Sequence, residues 1–296
     1  MNMPREIKLV WALLGAAAVA VLVTYSRLPA YELYHVSRSG IAGGLSRALV
    51  DLNFPDALAA LAILGIVGPR LPPRGVPLAV LAAALCLVVV FPGVVSQDDL
   101  DAKWINAVPA AGVALAFVLS LAADGPRSPR RARGDPLRLA LAAVLVLLAA
   151  PWIAAELGFY LDGVPVLGWL FQTGKLASFH DPLHHAVHHG VHHGLQGMLL
   201  ALTALVLSRL PAPRAAGVYL ALMLAYGIGN MANDGWLEQV VERGWSSHSI
   251  PSVLEPKANW GWLAILAVTP LIWWLWFRQP SRTTPAAARP AISASE

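Results

Sequence analysis

The chain has 296 residues, of which 57% are hydrophobic and only 13% charged, with a mean hydropathy of +0.61. A soluble domain carries about 25% charged residues, so this composition excludes a water-solvated globule and points to a polytopic membrane protein. The formal charge of +4 is not a nucleic-acid signal, because the basic residues sit in short loops between apolar runs; the single cysteine, Cys86, excludes an internal disulfide and any cysteine-built zinc or iron–sulfur site.

A helix crossing roughly 30 Å of hydrocarbon needs about 20 mostly apolar residues. Eight segments qualify as spans: 9–25, 48–68, 77–96, 104–123, 136–156, 192–210, 214–232 and 258–277. The second carries Asp51, Asn53, Pro55 and Asp56, so its outer end is polar and expected to kink. Trp104, Trp152, Trp236, Trp260 and Trp262 fall near one set of span ends, and Trp11, Trp273, Trp274 and Trp276 near the other, as in an aromatic belt. The predicted fold is all-α, a polytopic membrane bundle of about eight transmembrane helices forming a single domain over residues 1–277. The Pro/Ala/Ser-rich stretch 278–296 reads as a disordered cytoplasmic tail.

Lys and Arg set the orientation. With the N-terminus and C-terminus inside, fourteen of the 21 basic residues lie on the inner side, which is the positive-inside arrangement. The first span then reads as an uncleaved signal anchor. On the same map thirteen of the 17 acidic residues and all nine histidines fall outside. Acidic residues do not drive topology, so this asymmetry places the expected chemistry on the extracytoplasmic face of a cell-membrane protein.

The stretch FHDPLHHAVHHGVHHGLQG holds seven histidines within the fourteen positions 180–193 and runs directly into the sixth span. Asp181 followed by Pro182 reads as a helix start, with Asp as N-cap and Pro at the first helical position. A continuous helix from there aligns two rows at i, i+4, i+8: His184, His188, His192 and His185, His189, His193. Imidazoles four apart can bind one divalent ion together. Gly190, Gly194 and Gly197 occupy the opposite arc, a small-residue face suited to close helix packing. A solvated, tag-like tract is the plain alternative, but such a tract needs no glycine face.

Several carboxylates are candidate partners. Glu32 and His35 have the Glu-x-x-His spacing of di-metal carboxylate bundles. Glu156 ends an apolar span, where an ionised carboxylate is costly unless paired; it and Asp234 are the candidate acid/base residues. Asn230, Asn233, Asp234 and Glu238 share one helical face that could wall the histidines, and Asp51 and Asp56 are weaker candidates. His248, in SSHSIPS, reads as a solvated loop histidine. The segment 163–172 is too short to span and reads as interfacial or re-entrant.

The His-x3-His and His-x2-His-His spacings of the cluster resemble the histidine boxes of membrane fatty-acid desaturases and hydroxylases, a resemblance that implies a di-iron centre and an oxygen-dependent lipid reaction. Here the boxes overlap on one segment of under twenty residues and map outside, whereas that family separates them and faces them inward. Glu32-x-x-His35 in a first outer loop resembles haem A synthases, but no span interior carries the further histidines of that family. Neither resemblance assigns a family. The function expected is a metal-dependent membrane enzyme, oxidoreductase- or hydroxylase-like, acting on a lipid or lipid-linked substrate at the outer face. Its cofactor would be a divalent metal ion such as Fe, Zn or Cu. Divalent-metal transport, capture or sensing is the alternative, and a non-enzymatic scaffold the third. The bilayer is the expected partner; no phosphate loop, dinucleotide fingerprint or other nucleic-acid signal is present.

Overall fold

A computed structural model of the chain describes residues 3–27, 38–91, 93–95, 101–132, 134–157, 159, 164–166, 176–177, 184–185, 191–241, 243–254 and 257–277. The described chain is helical: α1 (Arg5–Arg27), α2 (Gly40–Val67), α3 (Gly75–Leu87), α4 (Ala107–Ala122), α5 (Asp135–Leu148), α6 (Ala150–Glu156), α7 (Val191–Leu207), α8 (Arg214–Trp236) and α9 (Trp260–Ile272). One two-residue antiparallel pairing, Leu176–Ala177 with His184–His185, is the exception. Five helices are long and apolar enough to cross a membrane: 5–27, 40–70, 104–122, 214–241 and 260–277. Shorter apolar helices cover 75–90 and 193–207.

α2 is the hub. Within its apolar window 78% of residues are buried in protein, against 28% for α1 and 22% for α9, so α1 and α9 present most of their side chains outward. α2 packs against α1, α3, α4, α7 and α8. It also runs without interruption through Pro55 and begins at Gly40 rather than near residue 48. The extra turns bring Arg47 into the protein interior.

The most extensive helix pairing among the described residues is α7 with α8, and glycines make it possible. A Cβ on Gly197 would lie 2.6 Å from the Gly227 carbonyl oxygen, and one on Gly227 would lie 2.5 Å from that of Gly197. No larger residue fits where two backbones meet so closely. Gly194 likewise leaves room for the Trp152 ring of α6. Two glycines of the small-residue face are therefore packing positions. Cys86 is buried against Gly112 of α4 and takes no part in any polar cluster described below.

The long histidine helix expected from Asp181 does not form as a unit. α7 begins at Val191, and His184 and His185 lie in the extended pairing with Leu176 and Ala177. The rows joining His184 to His192 and His185 to His193 on one helix are accordingly broken. Poor helix formers, four histidines and a glycine among residues 181–190, weaken a start at Asp181. A start at Val191 finds a cap that the sequence pattern did not show.

Candidate functional site

That cap is Asp234. The first four N–H groups of a helix have no partner within it, and Asp234 Oδ2 accepts the fourth of α7, Gly194 N–H, at 2.8 Å. A carboxylate at this position also meets the positive end of the helix dipole. One turn back on α8, Asn230 Nδ2 donates to the His193 carbonyl at 3.1 Å. One turn on, in the π-helical stretch Leu237–Val241, Glu238 Oε2 accepts the Trp152 indole N–H at 2.8 Å. Three members of the polar face on α8 thus turn toward α6 and α7. Asn233, the fourth, instead donates to the carbonyls of Ile250 and Pro251.

A second set of charges closes the ring from the other side. On α2, Arg47 Nε lies 2.6 Å from Asp51 Oδ2, four residues on, with side-chain exposures of 0% and 3%. The Arg47 guanidinium sits over the Tyr25 ring of α1 at 4.8 Å. Glu156, buried at the end of α6, has Asp51, Arg47 and Tyr25 as its electrostatic neighbours. His193 acts on Asp51 from α7, and Gln196, one turn deeper, donates from Nε2 to the Asp51 carbonyl at 2.7 Å.

The result is a buried polar layer across α1, α2, α6, α7 and α8. It contains four carboxylates, Asp51, Glu156, Asp234 and Glu238. Arg47 is the one buried guanidinium or ammonium group at this end among the described residues. A carboxylate removed from water needs a cation beside it or must take up a proton, and one guanidinium cannot pair with four carboxyl groups. Neutral groups add further oxygens. The Gln196 and Asn230 amides are oriented by donating to carbonyls, which leaves Gln196 Oε1 and Asn230 Oδ1 buried with no hydrogen-bond partner. The layer thus gathers carboxyl groups, carboxamide oxygens and an imidazole, a set whose chemistry suits cations and transferable protons.

The expected site residues divide as follows. Glu156, Asp234 and His193 are brought into this layer. His192 lies in the first turn of α7, and only its backbone is described, as for His184 and His185. Glu32, His35, His188 and His189 lie outside the described residues. Among the described residues no three His, Cys, Asp or Glu side chains are placed to share a metal ion. Arg47, Tyr25 and the interior position of Trp152 are additions to the sequence reading. Trp152 is 4% exposed and belongs to the layer rather than to an interfacial belt, whereas Trp104 and Trp260 are exposed as a belt requires. His248 is exposed in its loop, its carbonyl accepting the Trp236 N–H at 2.8 Å. Asp56 is placed deeper in α2, away from the layer and near Cys86.

No family model matches the chain, and no curated protein or solved structure matches it either.

Proposed function

We propose that the chain is a metal-dependent integral membrane protein, an oxidoreductase- or hydroxylase-like enzyme that acts on a lipid or lipid-linked substrate at the outer leaflet. The observation that carries this reading is the clustering in the buried layer: four carboxyl groups gathered with Arg47, directly beside His193 and the start of α7. Ionisable groups at membrane depth are expensive and mark functional sites. In this reading His193, with His188, His189 and His192 just before it in sequence, supplies imidazoles to a divalent ion. Asp51 and Glu156 supply carboxylates, as ligands or as the acid–base pair. Arg47 holds Asp51 in place, and Asp234 fixes the first turn of α7 and therefore the position of His193.

The membrane arrangement belongs to the same proposal. The five long helices are joined by α3, the α5–α6 pair and α7 to give eight crossings, with both termini on the side opposite the histidines. The loops 68–75, 124–134 and 208–214 bring Arg residues to that opposite end, which the positive-inside rule places in the cytoplasm.

Elemental analysis of detergent-purified protein tests the reading. Stoichiometric metal that survives dialysis is expected in the wild type, and the double substitution His192→Ala/His193→Ala abolishes it. Metal-free wild-type protein, prepared from metal-supplemented cultures, overturns it.

One observation favours cation translocation as a second reading. Asp56 lies about a turn and a half beyond Asp51 on α2, and its Oδ1 is buried without a hydrogen-bond partner. A metal-driven flux in proteoliposomes that Asp56→Asn abolishes would select this reading over the enzymatic one.

A further inference from the structure

The opposite end of the bundle is also organised by charge, but here the charge is spent on holding a loop. Glu6 is buried at the start of α1 and accepts from Arg209 Nη1 at 2.8 Å and from the Ser128 hydroxyl. Ser128 Oγ accepts in turn from the backbone N–H of Arg5 at 3.1 Å. Arg209 Nη2 donates to the Pro129 carbonyl at 3.3 Å, and its Nε lies 3.1 Å from Asp135 Oδ1. The second Asp135 oxygen accepts Ala132 N–H at 2.9 Å. Ser128, Pro129 and Ala132 are thereby tied inward to α1, to the α7–α8 connection and to α5.

The residues between these anchors point the other way. Arg127, Arg130 and Arg131 are exposed, as is Arg5 beside them. Arg70 and Arg214 are exposed on neighbouring connections, brought close by the packing of Gly65 of α2 against Ala216 of α8. The exposed acid at this end among the described residues is Asp124. Glu6 and Asp135 are committed to the inward network and cannot neutralise the outward arginines.

We infer that this end of the bundle is a docking surface for anionic phospholipid headgroups, with Arg127, Arg130 and Arg131 as its centre. Three features favour this partner. The arginines lie in the connection between the apolar helices α4 and α5, where a pair of spans would meet the headgroup region. Their planar forks match phosphate oxygens. The anchored loop holds them outward before any lipid arrives, so little ordering cost accompanies binding. The inference is independent of any metal at the histidine end.

Full-length protein reconstituted in phosphatidylcholine vesicles, with spin-labelled phosphatidylglycerol or spin-labelled phosphatidylcholine as the probe, tests it. A preference for phosphatidylglycerol of roughly fivefold per engaged arginine is expected at low ionic strength. It should collapse in 1 M salt, where the screening length is about 3 Å, and in the variant Arg127→Gln/Arg130→Gln/Arg131→Gln. These side chains are exposed, and an unchanged thermal midpoint for the variant would show that the fold is intact. Equal retention of the two lipids overturns the inference, as does a preference that survives in the triple variant. Competition by millimolar inorganic phosphate that removes the preference would assign the site to a free anion instead.

Discussion

Arg47 and Asp51 meet at 2.6 Å through Nε and Oδ2, one helical turn apart on the most enclosed of the five long helices. Breaking one side of a buried ion pair leaves a charge without its counter-ion, which costs about 3–5 kcal/mol. Asp51→Asn and Arg47→Leu should therefore each lower the thermal midpoint in detergent strongly. The double replacement Arg47→Leu/Asp51→Leu should recover part of the loss, because neither member of the pair is then left without its immediate counter-ion. If the double variant is as unstable as the sum of the singles, the pair is not acting as a unit.

The α7–α8 contact makes an equally specific demand. Gly197→Ala would drive a Cβ to within 2.6 Å of a backbone carbonyl, and overpacking of this kind costs about 1–3 kcal/mol. Gly15→Ala in α1 is the matched control, since nothing lies within 4 Å of the added carbon. It should be neutral or slightly stabilising, as Ala favours helix over Gly by up to about 1 kcal/mol. Thermal scans of the two variants side by side check both expectations.

The histidine end is visible here as well as in the sequence, though only in part. Glu156 stood out because a carboxylate ending an apolar run needs a reason, and Asp234 because its face of α8 is polar at helical spacing. Arg47 did not stand out, because the apolar run of α2 starts after it; its signal was the four-residue spacing to Asp51. A continuous helix from Asp181 rests on Asp-Pro, a local signal that the extended backbone at His184–His185 interrupts, whereas the carboxylate that meets the start of α7, Asp234, lies forty residues from Gly194. Trp152 looked like a belt residue because its position matches a span end; only tertiary packing against Gly194 and Glu238 takes it inside. Local chemistry was legible and long-range partnership was not.

Trp152 itself supplies a third prediction. Trp152→Phe keeps an aromatic ring against Gly194 but removes the N–H that Glu238 accepts. Losing a donor to a buried charged acceptor costs about 1–3 kcal/mol, and the intrinsic fluorescence of this tryptophan would report the same contact. A thermal midpoint unchanged in Trp152→Phe would remove the hydrogen bond from the account.

The opposite end should respond to acid. The Ala132 N–H, together with Arg209 and Arg138, holds the Asp135 carboxyl below the usual carboxylate range. A carboxyl depressed on folding contributes stability above its unfolded pKa of about 4, and that contribution disappears as the pH falls through the lower folded value. Hydrogen exchange in residues 124–132 should therefore accelerate, relative to its intrinsic rate, on acidification below that range. Asp135→Asn should show fast exchange at neutral pH already, with the acid-dependent step reduced. An acid response unchanged by Asp135→Asn would place its origin elsewhere.

The central claim is that the buried carboxylates and the histidines before α7 serve one bound cation. The most direct measurement is the affinity of chelator-stripped, full-length protein for a divalent metal, compared between the wild type and Glu156→Gln. The stripped wild type is expected to rebind metal, and Glu156→Gln to weaken binding by at least roughly 10–100-fold, the range typical when a group supporting a metal ligand is altered. A wild type that takes up no metal, or a Glu156→Gln variant that binds as tightly as the wild type, would contradict it.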